Sequence, residues 1–174
     1  MDEDFAHRLT IDRIRDGERI DLVAGEAERK AVAERLGLSS LERLDAHVTL
    51  SPEGGRVRAE GRLRAALEQS CVATGQPVPE HIDEPFTILF VPEPDAARSD
   101  EEVELSEDEC DVVFYDGAAI DLGTAVADTL ALAMNPYPRS PEAQLALKEA
   151  GVISEAEAGP FAALAKLRKS GGEA

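Results

Sequence analysis

The first half of the chain alternates between apolar and polar residues with the two-residue period of β-strands. A short run at residues 7–14 precedes a hairpin in which positions 46–50 and 57–67 alternate around a Pro/Gly turn at 52–55. A third long run covers residues 82–91. Because side chains along a strand point to its two faces in turn, each run predicts a strand with one buried face. Three consecutive antiparallel strands are therefore expected.

Other segments have the period of an amphipathic helix. Residues 26–36 predict a helix, and Gly37 is well placed as its C-cap. Asp121 is a suitable N-cap for an apolar helix that ends before Pro136 and is expected to lie in the centre of the core. Ser140, which a proline follows, opens a further short helix.

Together these elements predict an α+β fold. An antiparallel sheet, which can curl strongly, is packed by the helix that follows Asp121. The sheet and the helices are expected to form a single domain over residues 1–159, with a mobile acidic loop at 93–111. Residues 160–174 are predicted to form a short, amphipathic and basic C-terminal tail.

The charge balance indicates which partners the protein favours. The chain has 36 acidic and 18 basic residues, a formal net charge of −18. Such a chain repels nucleic-acid phosphates and anionic membranes at long range and favours basic partners. A second interpretation remains open, in which the charge only maintains solubility.

Several features favour a cytoplasmic protein with no membrane partner. The two cysteines, Cys71 and Cys110, match no disulfide framework. The first residues are acidic where a secretory signal peptide is basic. No apolar run approaches the roughly 20 residues that span a bilayer. The sequence leaves the oligomeric state open.

The sequence predicts no catalytic residue, cofactor or metal site. His7, His47 and His81 are scattered, and no nucleophile elbow, zinc-protease or phosphate-loop motif is present. Cys71 and Thr74 have the outline of a two-cysteine knuckle in which Thr takes the second position. Because a structural zinc site needs four ligands, this degenerate knuckle is interpreted as a small buried thiol at the end of a strand.

Four arginines are candidates for binding an anionic partner. They share one face of the long predicted strand and are Arg56, Arg58, Arg62 and Arg64. They could contact phosphates despite the net charge, because only the local potential matters within a Debye length of about 8–10 Å. The alternative is a solvated strand face whose arginines pair with acidic neighbours.

The predicted C-terminal tail offers a second set of candidates. Its apolar side carries Phe161, Leu164 and Leu167, and its last turn is basic, with Lys166, Arg168 and Lys169. This helix either docks on the body of the protein or serves as a peptide that a partner groove accepts. Both interpretations stay open.

Three segments together resemble the YceD family, which is named for accumulation of the large ribosomal RNA subunit. The first is CVATGQPV at residues 71–78, which is similar to the family's cysteine knuckle between two strands. The second is IDLG at 120–123, leading into an apolar helix that ends in PYP at 136–138. The third is PFAALAKLRK at 160–169, which is similar to the family's C-terminal signature.

The resemblance implies a non-enzymatic factor in large ribosomal subunit biogenesis or ribosomal RNA accumulation. Its implied partners are a basic ribosomal protein or assembly factor, together with precursor ribosomal RNA. Paired cysteines in many family members indicate a metal site there. Here Thr74 replaces the second cysteine and residues 138–141 carry no ligand, so that no metal is carried over.

Two alternatives come from other classes of protein. One is an acidic protein-binding module, unrelated to the ribosome, whose loop at 93–111 mimics nucleic acid. The other is a nuclease that holds divalent ions on its carboxylates. Two-metal chemistry requires ions about 3.5–4 Å apart on fixed carboxylates, whereas the densest acidic cluster here is on a predicted loop.

Overall fold

A computed structural model describes residues 5–93 and 111–152 of the chain. Seven strands are found within these residues: β1 (Arg8–Thr10), β2 (Glu18–Val23), β3 (Ser40–Glu53), β4 (Arg56–Ser70), β5 (Pro77–Pro92), β6 (Asp111–Tyr115) and β7 (Ala119–Asp121). A 3-10 turn, Ile11–Arg13, follows β1. The three helices of the described part are α1 (Glu26–Leu36), α2 (Leu122–Ala133) and α3 (Ala143–Glu149).

The larger sheet contains five strands in the order β2-β3-β4-β5-β6. Strand β3 pairs in antiparallel orientation with β2 on one side and with β4 on the other. Strand β6 pairs with β5 in parallel orientation, so that the sheet is mixed where the sequence predicted an antiparallel one. The β3–β4 hairpin turns at Gly54 and Gly55, whose φ angles of 57° and 81° are left-handed and favour glycine. The predicted α+β class is confirmed.

The core forms between one face of the large sheet and the helices α1 and α2. Its largest fully buried side chains come from alternate strand positions and from α2, and they include Leu44, Leu50, Leu63, Ile88, Phe90, Leu122, Val126 and Leu130. The predicted central position of α2 is therefore confirmed. Gly61 lies in the middle of this face. A larger residue does not fit there, because its Cβ atom would collide with the carbonyl oxygen of His47 and lie 2.9 Å from Phe86 Cζ.

Asp121 fixes the start of α2 as the sequence predicted. Its carboxylate accepts a hydrogen bond from the N–H of Thr124 at 3.1 Å, which satisfies one of the free donors of the first helical turn. The same Oδ1 atom accepts from the N–H of His7 at 3.0 Å. Next to it, β1 and β7 pair in a second, two-stranded antiparallel sheet. One side chain thus caps the helix and holds the N-terminal segment.

The chain divides into two compact units. The first comprises residues 1–69 and 79–136, and the second comprises residues 70–78 and 137–174, so far as the structure describes them. In the second unit, α3 begins at Ala143, two residues after Pro141, which the sequence predicted as the first helical residue behind a cap at Ser140. The boundary at residue 159 lies outside the described residues, and the proposed division into domain and tail stays a prediction.

Candidate nucleic-acid interface

The large sheet has an inner face, which contributes to the core, and an outer face on the opposite side. Along β4 the inner positions are buried, including Val57, Ala59 and Leu63, and the residues between them lie on the outer face. All four candidate arginines, at positions 56, 58, 62 and 64, are on this outer face. The structure therefore keeps them on one surface, as the alternation predicts.

The structure divides the four arginines into two pairs. Arg62 donates from Nε to Asp83 on the next strand, and Nε of Arg64 lies 3.6 Å from the same carboxylate. The hydrogen bond from Arg62 and the charges of both arginines hold the pKa of Asp83 below its ordinary value. Arg62 and Arg64 therefore pair with an acidic neighbour, which is the alternative that the sequence left open.

Two further side-chain pairs lie on the outer face. His47 Nδ1 and Asp21 Oδ1 are 2.6 Å apart on adjacent strands. The guanidinium of Arg43 binds both carboxylate oxygens of Asp45. This hydrogen bond, with the negative charge beside it, raises the pKa of Arg43. Much of the charge at this end of the face is thus offset locally.

Arg56 and Arg58 differ from the other two arginines. Neither has an ion-pair partner among residues 5–93 and 111–152. Both line a surface cavity of about 480 Å³, here called the arginine cavity, whose other lining residues are Ser51, Glu53, Gly54 and Leu89. The cavity lies at the β3–β4 turn, where Arg56 is in register with Glu53 and Arg58 with Ser51. Two cations beside a cavity, neither with an ion-pair partner among the described residues, form an arrangement that is suited to an anion.

Sequence reasoning missed Asp83, which separates the two arginine pairs. It stands 21 positions beyond Arg62, and only the register of neighbouring strands brings the two side chains together. The available signal was its position, next to the inward-facing Ile82, which places Asp83 on the outer face. Register across β4 and β5 is a tertiary property that alternation alone does not determine.

The degenerate knuckle forms a hydrogen-bonded cluster in the second unit. Cys71 is 3% exposed, in agreement with its interpretation as a buried thiol. The N–H of Ser140 donates to its Sγ at 3.2 Å, and the hydroxyls of Thr74 and Ser140 share a hydrogen bond at 3.3 Å. The Ser140 N–H, followed by the Thr74 hydroxyl, lowers the pKa of Cys71 from 9.0 to about 6, although burial opposes this change. Ser140 therefore binds the thiol where the sequence predicted a helix cap.

The remaining candidates are the residues of the C-terminal tail, the acidic segment and the carboxylates that a metal ion would need. The tail residues Phe161, Leu164, Lys166, Leu167, Arg168 and Lys169 lie outside the described residues, as does most of the acidic segment 93–111. Among the residues that the structure does describe, no group of three or more His, Cys, Asp or Glu side chains could hold a metal ion. None of the described helices is long and apolar enough to cross a membrane.

The fold and the outer face define a class of protein: a small, acidic α+β protein with an open mixed sheet that presents two arginines without ion-pair partners among the described residues. Comparison with known families then identifies it more closely. Residues 59–168, more than half of the chain, match the family described as large ribosomal RNA subunit accumulation protein YceD, and the chain belongs to this family. Neither the curated proteins nor the solved structures contain a match.

Proposed function

We propose that this protein is a non-catalytic factor in large ribosomal subunit biogenesis that binds precursor ribosomal RNA at the arginine cavity. The family's name supplies the context of large ribosomal RNA accumulation. The observation that carries the proposal is that Arg56 and Arg58 line one cavity and have no ion-pair partner among residues 5–93 and 111–152. Arginine presents a planar fork of donors that matches phosphate oxygens in a bidentate manner.

The net charge of the chain is compatible with this role because it restricts where RNA can approach. Beyond a Debye length of about 8–10 Å the field of distant carboxylates is screened, so that a bound phosphate responds mainly to nearby charges. The acidic surface elsewhere repels RNA and is suited to a basic ribosomal protein or assembly factor. RNA is thus directed to the face that carries the arginines, and the acidic remainder of the surface is left for protein partners.

The test compares two double variants on the same strand. Arg56→Gln with Arg58→Gln removes the two arginines of the cavity, and Arg62→Gln with Arg64→Gln removes two arginines that share the carboxylate of Asp83. Both variants change the net charge equally. Affinity for a labelled precursor ribosomal RNA fragment is measured by filter binding over a range of salt concentrations, after thermal unfolding has shown that each variant is folded.

The first double variant is expected to bind more weakly and to show a smaller salt dependence. Each single-strand phosphate contact contributes about 0.7 to the slope of log K against log salt, so that losing two contacts should reduce the slope by about 1.4. The second double variant should change the slope clearly less. Equal losses in both variants would indicate a diffuse field with no preferred site, and an unchanged slope in the first would remove the arginine cavity from the function.

A further inference from the structure

An apolar strip lies on the outer face beside the arginine cavity. In β5, Ile88 and Phe90 belong to the core, so that Leu89 and Val91 lie on the outer face. Strand β6 continues this strip, because Val112 is in register with Leu89 and Phe114 with Val91. Val91 is only 5% exposed and lies outside the main core cluster, whereas Phe114 beside it is 54% exposed. The strip therefore ends in a phenyl ring that is open to solvent.

The strip and the unpaired arginines share one end of the sheet. Leu89 lines the same cavity as Arg56 and Arg58. The hydroxyl of Tyr115, the residue after Phe114, donates to the carbonyl oxygen of Gly55 at the β3–β4 turn. Strand β5 alone lies between β4, which carries the arginines, and β6. The two strands are therefore about 10 Å apart, and the long arginine side chains can extend over part of this distance.

We propose that this end of the outer face binds an unpaired stretch of RNA, with one base stacked on Phe114 and neighbouring phosphates held by Arg56 and Arg58. The inference rests on the proposed function and adds the class of RNA to it. Proteins that bind single strands combine a positively charged groove with aromatic side chains on which bases stack. In a duplex the faces of the bases are already stacked on each other, so that an exposed ring selects unpaired nucleotides.

The geometry also predicts little dependence on base sequence. Stacking uses the face of a base, which every base has, and the arginines contact phosphates, which carry no sequence information. Among the lining residues only Ser51 and Glu53 offer further polar side chains to a base edge. The site is therefore suited to holding an unpaired segment of a folding RNA open, whatever its sequence.

Phe114→Ala in the full-length protein tests the stacking contact. The ligands are a fluorescein-labelled oligouridylate and the same strand annealed to oligoadenylate, and binding is followed by fluorescence anisotropy. Loss of one base–aromatic stack should weaken single-strand binding by about 5- to 150-fold and leave the weaker duplex binding unchanged. Leu132→Ala is the matched control, because Leu132 is an exposed apolar residue of the same unit on α2. It should change neither affinity.

A second variant reports stacking directly. The chain contains no tryptophan, so that Phe114→Trp introduces a single tryptophan, whose emission can be excited selectively, at the proposed platform. Oligouridylate should quench its emission on binding, whereas the duplex should not. This measurement does not depend on whether the alanine variant folds.

The outcomes separate this inference from the proposed function. If removal of Arg56 and Arg58 weakens RNA binding but Phe114→Ala does not, or if oligouridylate binds without quenching the Phe114→Trp variant, the stacking inference is wrong and the proposed function stands. Tighter binding of duplex than of single strand overturns the inference in the same way. If neither the arginine variants nor the Phe114 variants change RNA binding, both proposals fail.

Discussion

The carboxylate of Asp83 is predicted to compete with RNA phosphates for the guanidinium groups of Arg62 and Arg64. It binds Arg62 and lies 3.6 Å from Arg64, so that one carboxylate holds both guanidinium groups. Asp83→Asn keeps the shape of the side chain and removes its charge. Both arginines should then be available to phosphates, next to Arg56 and Arg58 on the same strand. The expected result is a gain in RNA affinity and a steeper salt dependence.

The size of the effect follows from the number of phosphates that the two released arginines can bind. Two additional single-strand phosphate contacts should increase the slope of log K against log salt by about 1.4. Between about 50 and 200 mM salt, the variant should therefore lose about sevenfold more affinity than the original protein, starting from a tighter value. Folding should change little, because the pair of Arg62 with Asp83 is exposed and screened by solvent.

The assay is the anisotropy titration with labelled single-stranded RNA at four or more salt concentrations. Asp21→Asn is the control, since it removes one negative charge from the same face and releases only His47. Because it releases no arginine, this control should leave the slope unchanged. An equal increase in slope for Asp21→Asn, or no increase for Asp83→Asn, would refute the reasoning that specific release of arginines governs binding.

Three further predictions concern stability and protonation. Gly61→Ala should destabilise the protein by about 1–3 kcal/mol in urea unfolding, because the new Cβ meets the carbonyl oxygen of His47; a neutral result would contradict the close packing. Asp121→Ala should cost about 1–2 kcal/mol through loss of the cap on the Thr124 N–H, and Asp121→Asn should retain most of that stability. For Cys71, the folded pKa of about 6 lies below the unfolded value, so its stabilising contribution is complete above about pH 9 and is lost as pH falls through about 6. In a Cys110→Ser variant, whose one thiol is Cys71, thiolate ultraviolet absorbance should titrate near pH 6, and a midpoint near 9 would contradict the hydrogen-bond geometry.

The sequence predicted those parts of the fold that depend on local signals. Alternation placed Val57, Ala59 and Leu63 on one buried face, and the structure buries all three completely. The cap at Asp121 and the C-cap at Gly37, whose φ is 66°, follow from the chemistry of single residues. Such signals act over a few neighbouring positions and can be read without knowing the partner of any strand.

The parts that the sequence did not predict depend on distant partners. The parallel orientation of β6 depends on its pairing with β5, and no local pattern within β6 indicates that direction. The separation of the arginines depends on Asp83 in the neighbouring strand. Ser140 was predicted to cap a helix because it precedes a proline, but its N–H binds the sulfur of Cys71, 69 positions earlier. Phe114 lies in a short apolar run, VVFY at residues 112–115, and only the register with β5 shows that its side chain is on the outer face.

The pairing of β1 with β7 cannot form until late in translation of the chain. His7 and Asp121 are 114 positions apart, so that the first strand leaves the ribosome long before its partner exists. At about 5–20 residues per second, roughly 6–23 s separate the synthesis of the two residues. During that interval the backbone N–H and C=O groups of β1 have no native ladder to join, and they are open to other chains. The order of strands along the polypeptide therefore sets a waiting time for its first strand that no later gain in stability can shorten.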